Sequence, residues 1–103
     1  MNEQRKIERQ VAAMHRAIAE RLRGGDTMPL GRARSNLARW EASFGGALPA
    51  AYAEWVMLID TGLEAVLHVL ETETEDAVRL RSSSPFTGVL TPHERWRILR
   101  DAA

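Results

Sequence analysis

Ile7, Val11, Met14, Ile18 and Leu22 recur at steps of 4, 3, 4 and 4. That rhythm keeps five apolar side chains on one stripe of an α-helix and scatters them over both faces of a strand. Between them stand only Ala, polar and charged residues. A helix of some twenty residues is therefore predicted, with Asn2 as its N-cap and Gly24-Gly25 as its stop. Its apolar seam is narrow, as in a coiled coil or helical hairpin. Ile7, Val11, Met14, Ile18 and Leu22 are accordingly candidates for self-association across a two-fold axis.

The rest of the chain repeats the same grammar in shorter units. Pro29 suits the first turn of a second helix running to Phe44, because its missing N–H would go unpaired there anyway. Leu30, Ala33, Leu37, Trp40 and Phe44 would form its inner face, Gly31 weakens its first turn, and Gly45-Gly46 ends it. The short Gly24–Met28 connection predicts that helices one and two are antiparallel neighbours. Pro49 opens a third helix in the same manner, with Tyr52, Trp55, Val56 and Ile59 facing inward and Thr61-Gly62 breaking it. Leu63, Val66, Leu67 and Leu70 mark a fourth. Its valines also suit a strand, but no other segment reads as a strand to pair with it.

Thr72-Glu73-Thr74-Glu75 has the spacing of a capping box, with Thr72 as cap, ahead of a short fifth helix through Ala77, Val78 and Leu80. Ser82-Ser83-Ser84-Pro85 stops that helix, since the residue before Pro is pushed out of helical geometry. Phe86, Val89 and Leu90 then flank Gly88 in a loop. Thr91-Pro92-His93-Glu94 announces a last helix, with Thr as cap, Pro at the first position and Glu at the third; it carries Trp96, Ile98 and Leu99. The expectation is one all-α domain over residues 1–103, a compact bundle of five or six helices without a sheet.

Charge is divided along the chain although it sums to zero. Residues 1–39 hold nine basic and four acidic groups, residues 40–78 hold eight acids and no Lys or Arg, and residues 79–103 hold five Arg against two acids. Arg outnumbers Lys thirteen to one. Arg forms planar bidentate contacts, but a GC-rich genome is the simpler cause of that bias.

Few chemistries fit these residues. The chain has no Cys, which removes disulfides, thiolate metal sites and a thiol nucleophile. The polar start, MNEQRKIERQ, lacks an apolar leader core, and no apolar run approaches the roughly 20 residues of a membrane span, so a cytoplasmic protein is expected. His15, His68 and His93 stand singly without metal-ligand spacing; His15 and His93 read as helix-surface residues and His68 as partly buried. Glu71, Glu73, Glu75 and Asp76 lack the glycine turn of a calcium loop and read as a solvated cluster favoured by a helix start. No phosphate-cradling glycine loop or nucleophile elbow occurs. No catalytic residue, cofactor or metal is expected. Nucleic acid is a weaker alternative: the basic N-terminal face would meet phosphate and Trp40, Trp55 and Trp96 would stack bases, but each Trp lies in register with an apolar face and reads as core.

The run Arg79-Leu80-Arg81-Ser82-Ser83-Ser84-Pro85-Phe86-Thr87-Gly88-Val89-Leu90-Thr91-Pro92-His93-Glu94-Arg95-Trp96 resembles a family of small bacterial helical proteins, the antitoxin-type partners of nucleotidyltransferase-like toxins of the AbiE/Men-like group. His15 to Leu22, Asn36 to Trp40 and Glu54-Trp55 look similar too. Some members carry an added helix-turn-helix domain, which this chain is not expected to have. The toxins themselves need a Gly-Ser turn followed by paired aspartates to hold a metal nucleotide; no Gly-Ser pair occurs here, so the resemblance implies the neutralising partner.

For such a partner, two contact regions are expected. The acidic span, above all Glu71, Glu73, Glu75 and Asp76, would complement a positive surface on the toxin. The loop around Pro85 and Phe86, flanked by Arg79, Arg81 and Trp96, would supply an aromatic and guanidinium anchor. Phe86 equally suits a role in closing the core, with Pro85 and Gly88 shaping the turn, and Trp96 is expected inside. A self-associating helical module and a nucleic-acid-binding protein are the alternatives.

Overall fold

The computed structural model describes residues 3–102, and six helices account for most of them: α1 (Glu3–Arg23), α2 (Met28–Ser43), α3 (Ala50–Thr61), α4 (Leu63–Glu71), α5 (Glu75–Arg81) and α6 (Pro92–Ala102). Among the described residues there is no strand, so the chain is all-α as its periodicity predicts. None of these helices is long and apolar enough to cross a membrane. The proposed Asn2 cap lies outside the described residues.

The apolar patterns explain the packing order. α4 buries Val66, Leu67, Val69 and Leu70 on one broad face, because α1, α3 and α5 all pack against it. The opposite face, with Glu64 and His68, is given to water. Trp55 of α3 is fully buried, and its indole N–H donates to the Leu80 carbonyl at 2.8 Å. α3 and α4 meet at Gly62, whose φ of 138° turns the chain so sharply that Leu63 starts a new helix at once. An L side chain is strained in that geometry, which explains glycine there.

α1 meets α4, α5 and α6, and it touches α2 only slightly. The short connection therefore does not make α1 and α2 principal partners: the richer apolar face of α4 takes that place, and α2 packs on α3 instead. The α1 stripe is likewise spent inside the chain. Ile18 and Leu22 are core, Val11 and Met14 are half-buried, and only Ile7 is well exposed.

Three further expectations are corrected. Phe44 lies beyond α2 and is 53% exposed, since the chain turns away through Gly45 and Gly46, both at positive φ. Pro49 stands at the N-cap of α3, one position before the first turn. The α5 cap is Thr74, whose hydroxyl accepts the Ala77 N–H at 3.1 Å; Thr72 instead ends α4, its hydroxyl donating to the His68 carbonyl at 2.7 Å. Thr74→Ala is expected to cost about 1 kcal/mol in urea denaturation. Thr72→Ala should cost clearly less, and the reverse order would restore the box that the sequence suggests. The box at α6 forms as predicted: Thr91 Oγ1 accepts the Glu94 N–H at 3.1 Å, and Glu94 accepts the Thr91 N–H at 2.8 Å.

Trp96 is the largest departure. It is 57% exposed, and α6 has no fully buried residue. α6 packs on α1 and sets Glu94, Ile98, Leu99 and Ala102 partly inward. At about 100° per residue, position 96 lies roughly 200° around the axis from 94 and 98, so Trp96 faces solvent.

Candidate functional site

The loop between α5 and α6 is held by buried polar groups that reach it from distant helices. Asn36 of α2, 2% exposed, donates through Nδ2 to the Pro85 carbonyl at 2.8 Å and the Thr87 carbonyl at 3.0 Å. Its own Oδ1 accepts from Arg39 at 2.8 Å. Arg21 donates to the Val89 carbonyl at 3.2 Å while its Nε and Nη2 hold Asp26 at 3.1 and 2.9 Å. Nothing in the sequence marks Asn36 for this task beyond a polar residue beside the apolar Leu37.

His15 of α1 completes the anchoring. Its Nδ1 lies 2.7 Å from the Val11 carbonyl, which only accepts, so Nδ1 carries the proton. Nε2 is then an acceptor and receives the Ser84 hydroxyl at 2.7 Å, while Ser84 Oγ accepts the Phe86 N–H at 3.2 Å. Every proton in this chain has one direction. His15 is buried, contrary to its expected surface placement, whereas His68 is exposed. Burial, the largest cause, and the nearby Arg81 charge together hold its pKa down to about 4 despite the Val11 hydrogen bond. A Ser–His contact is the first half of a nucleophile–base pair. Here the imidazole is oriented by a backbone carbonyl and not by a carboxylate. The pair fixes the loop.

The residues expected to anchor a partner divide sharply. Pro85 is buried, Phe86 is 4% exposed, and Arg81 is 3% exposed. Phe86 sits edge-on between Trp55, at 5.6 Å between ring centroids, and His15, at 6.4 Å. Arg81 Nη1 donates to the Val69 and Thr72 carbonyls at 2.8 and 2.6 Å, and its Nη2 lies 3.6 Å from Glu73. These three residues therefore serve the core and offer no surface anchor. Arg79 is at the surface, but it grips Glu54 at 2.8 and 3.1 Å and Asp76 at 2.7 Å.

The charge division is partly offset in three dimensions. Arg23 pairs with Glu71, Arg34 with Asp60, and Arg79 with Glu54 and Asp76. Of the acidic cluster, Glu71 and Asp76 are thus neutralised, Glu73 faces Arg81 loosely, and Glu75 pairs with no cation among the described residues. Glu41 and Glu75 of the acidic span are exposed and form no ion pair among the described residues. No group of three His, Cys, Asp or Glu side chains converges on a metal position among the described residues.

One solvent face is basic and aromatic. The Trp96 ring stacks on His93 at 6.4 Å and 25°, and the Arg100 guanidinium lies over it at 4.9 Å. Arg95 and Arg97 flank it on the same helix and pair with no carboxylate among the described residues. Arg5, Lys6 and Arg16 of the adjoining α1 are exposed and equally without an acidic partner among the described residues. Sequence periodicity hid this face, because Trp96 next to Ile98 and Leu99 imitates a core pattern.

Behind the face, α1, the 82–90 loop and Arg95 line a half-open cavity of about 310 Å³. No protein-family model matches the chain, and neither does any curated protein or solved structure.

Proposed function

We propose that the chain is an antitoxin-like binding module that neutralises a nucleotidyltransferase-type toxin by direct contact, with the solvent face of α6 as the contact surface. One observation carries the choice of surface: Trp96 is 57% exposed yet held between His93 and Arg100. Trp and Arg dominate the energetics of interfaces. A ring already fixed by its neighbours loses little freedom on binding.

The chemistry of such a partner fits this polarity. An enzyme that holds a metal nucleotide between paired aspartates offers carboxylates to guanidinium groups, which take them in bidentate fashion. Arg95 and Arg97 are unpaired among the described residues and stand beside an aromatic ring that would replace a base. The contact is therefore basic on this chain and acidic on its partner, the reverse of what the acidic cluster suggests. Self-association through the α1 stripe has less support, since Ile18 and Leu22 are already buried within the chain.

The test is co-expression with a nucleotidyltransferase-type toxin, sought first in the adjacent reading frame. Trp96→Ala is expected to abolish growth rescue and weaken binding about 30-fold or more, with stability changed by no more than about 0.5 kcal/mol. Rescue and affinity equal to those of the unaltered chain would remove α6 as the interface. Nucleic-acid binding through Arg5, Lys6 and Arg16 is the second reading, favoured by their unpaired state among the described residues. It requires affinity for RNA or DNA that falls steeply with added salt.

A further inference from the structure

We propose that the cavity beneath the 82–90 loop binds a small amphipathic carboxylate, its apolar body against Met14, Ile18, Phe86 and Leu90 and its carboxylate on Arg95. The walls supply both halves of that recognition. Val11, Met14, Ile18, Phe86 and Leu90 give an apolar lining, and Arg95 stands where the lining reaches the surface. Ligand pockets run from about 300 Å³ upward for drug-sized molecules, so 310 Å³ suits a smaller one.

The charge around the cavity selects an anion. Arg81 and Arg95 are its charged lining residues, and neither Asp nor Glu lines it. Arg81 is nearly enclosed, with Nη1 committed to two carbonyls and a carboxylate no nearer than Glu73 at 3.6 Å. Arg95 pairs with no carboxylate among the described residues. His15 adds no positive charge at neutral pH, because burial keeps its imidazole neutral. Nor does it compete as a donor: its one N–H is given to Val11, and the Ser84 hydroxyl is given to it. A net positive, largely apolar pocket with one open guanidinium favours a carboxylate over an alcohol, and an alkyl or aryl acid over a bare ion.

The isolated full-length chain is the sample, so the outcome does not depend on the partner proposed above. Amide chemical shifts are followed during titration with hexanoate, with hexanol and acetate as the uncharged and body-less controls. Hexanoate is expected to saturate with a Kd of about 1 mM, moving His15, Thr87 and Gly88, and both controls should bind at least about tenfold more weakly. Arg95→Gln, a change at an exposed position, should weaken hexanoate about tenfold with the fold's spectrum retained. Failure of hexanoate to saturate below about 20 mM overturns the proposal. So does hexanol or acetate binding as well as hexanoate, or an Arg95→Gln chain that binds it unchanged.

Discussion

Acidification from pH 7 to pH 4 is expected to remove about 3 kcal/mol of folding stability through His15 alone. The imidazole has a pKa of about 4 in the folded chain against 6.5 when exposed. Above pH 6.5 both states hold it neutral and the fold has its full benefit. As pH falls below 6.5 the unfolded chain takes up a proton that the folded chain refuses, and stability declines until the folded form also protonates near pH 4. Protonation there also removes the acceptor for the Ser84 hydroxyl and places a second positive charge near Arg81. Asp26 is held below the usual carboxylate range by the Met28 amide, Glu71 by Arg23 and Glu94 by the Thr91 amide, so what they contribute is lost only below about pH 4.5. Urea denaturation at a series of pH values measures the slope. His15→Gln should flatten it between pH 6.5 and 4.5, and an unchanged slope in that variant would show that another group is responsible.

Phe86→Ala is expected to cost about 4 kcal/mol, in the range for a large aromatic removed from a core. The ring is 4% exposed and joins three parts of the molecule: Trp55 on α3, His15 on α1 and the loop itself. Each edge-to-face pair adds to the area it buries. The cavity already present beside Phe86 would enlarge, with little chance of collapse because Asn36 and Arg21 hold the loop backbone. For a chain of 103 residues a loss of this size lowers the melting temperature by roughly 15–30 °C. Calorimetry of the variant decides the matter. A Phe86→Ala chain as stable as the original, but unable to bind its partner, would return Phe86 to the surface role that the sequence also allows.

The sequence disclosed whatever depends on neighbours a few residues apart. The 3–4 spacing of Ile7 to Leu22, the stops at Gly24-Gly25 and Gly62, and the Thr91–Glu94 box all act within a turn or two, and the helices follow them closely. It concealed whatever depends on distance along the chain. His15 and Ser84 are 69 residues apart, Asn36 and Pro85 are 49 apart, and Arg23 and Glu71 are 48 apart. Charge counting treats basic and acidic segments as separate surfaces, yet Arg23, Arg34 and Arg79 pair with four of the eight acids of residues 40–78. Trp55 and Trp96 look alike in their local patterns. They differ because α3 packs on both α2 and α4, whereas α6 lies along α1 with its other side in water. Thr72 and Thr74 differ for a smaller reason: α4 runs on to Glu71 and takes Thr72 as its end.

The most direct measurement is backbone amide mapping of the labelled chain as a nucleotidyltransferase-type toxin is added. Perturbations are expected along α6, centred on Arg95, Trp96 and Arg97, and on the adjoining half of α1 around Arg5 and Arg16. Perturbations confined to Glu71–Asp76, or to the far end around Phe44 and Met57, would contradict the assignment of the working surface to α6. The absence of any perturbation at saturating enzyme would contradict the proposed function itself.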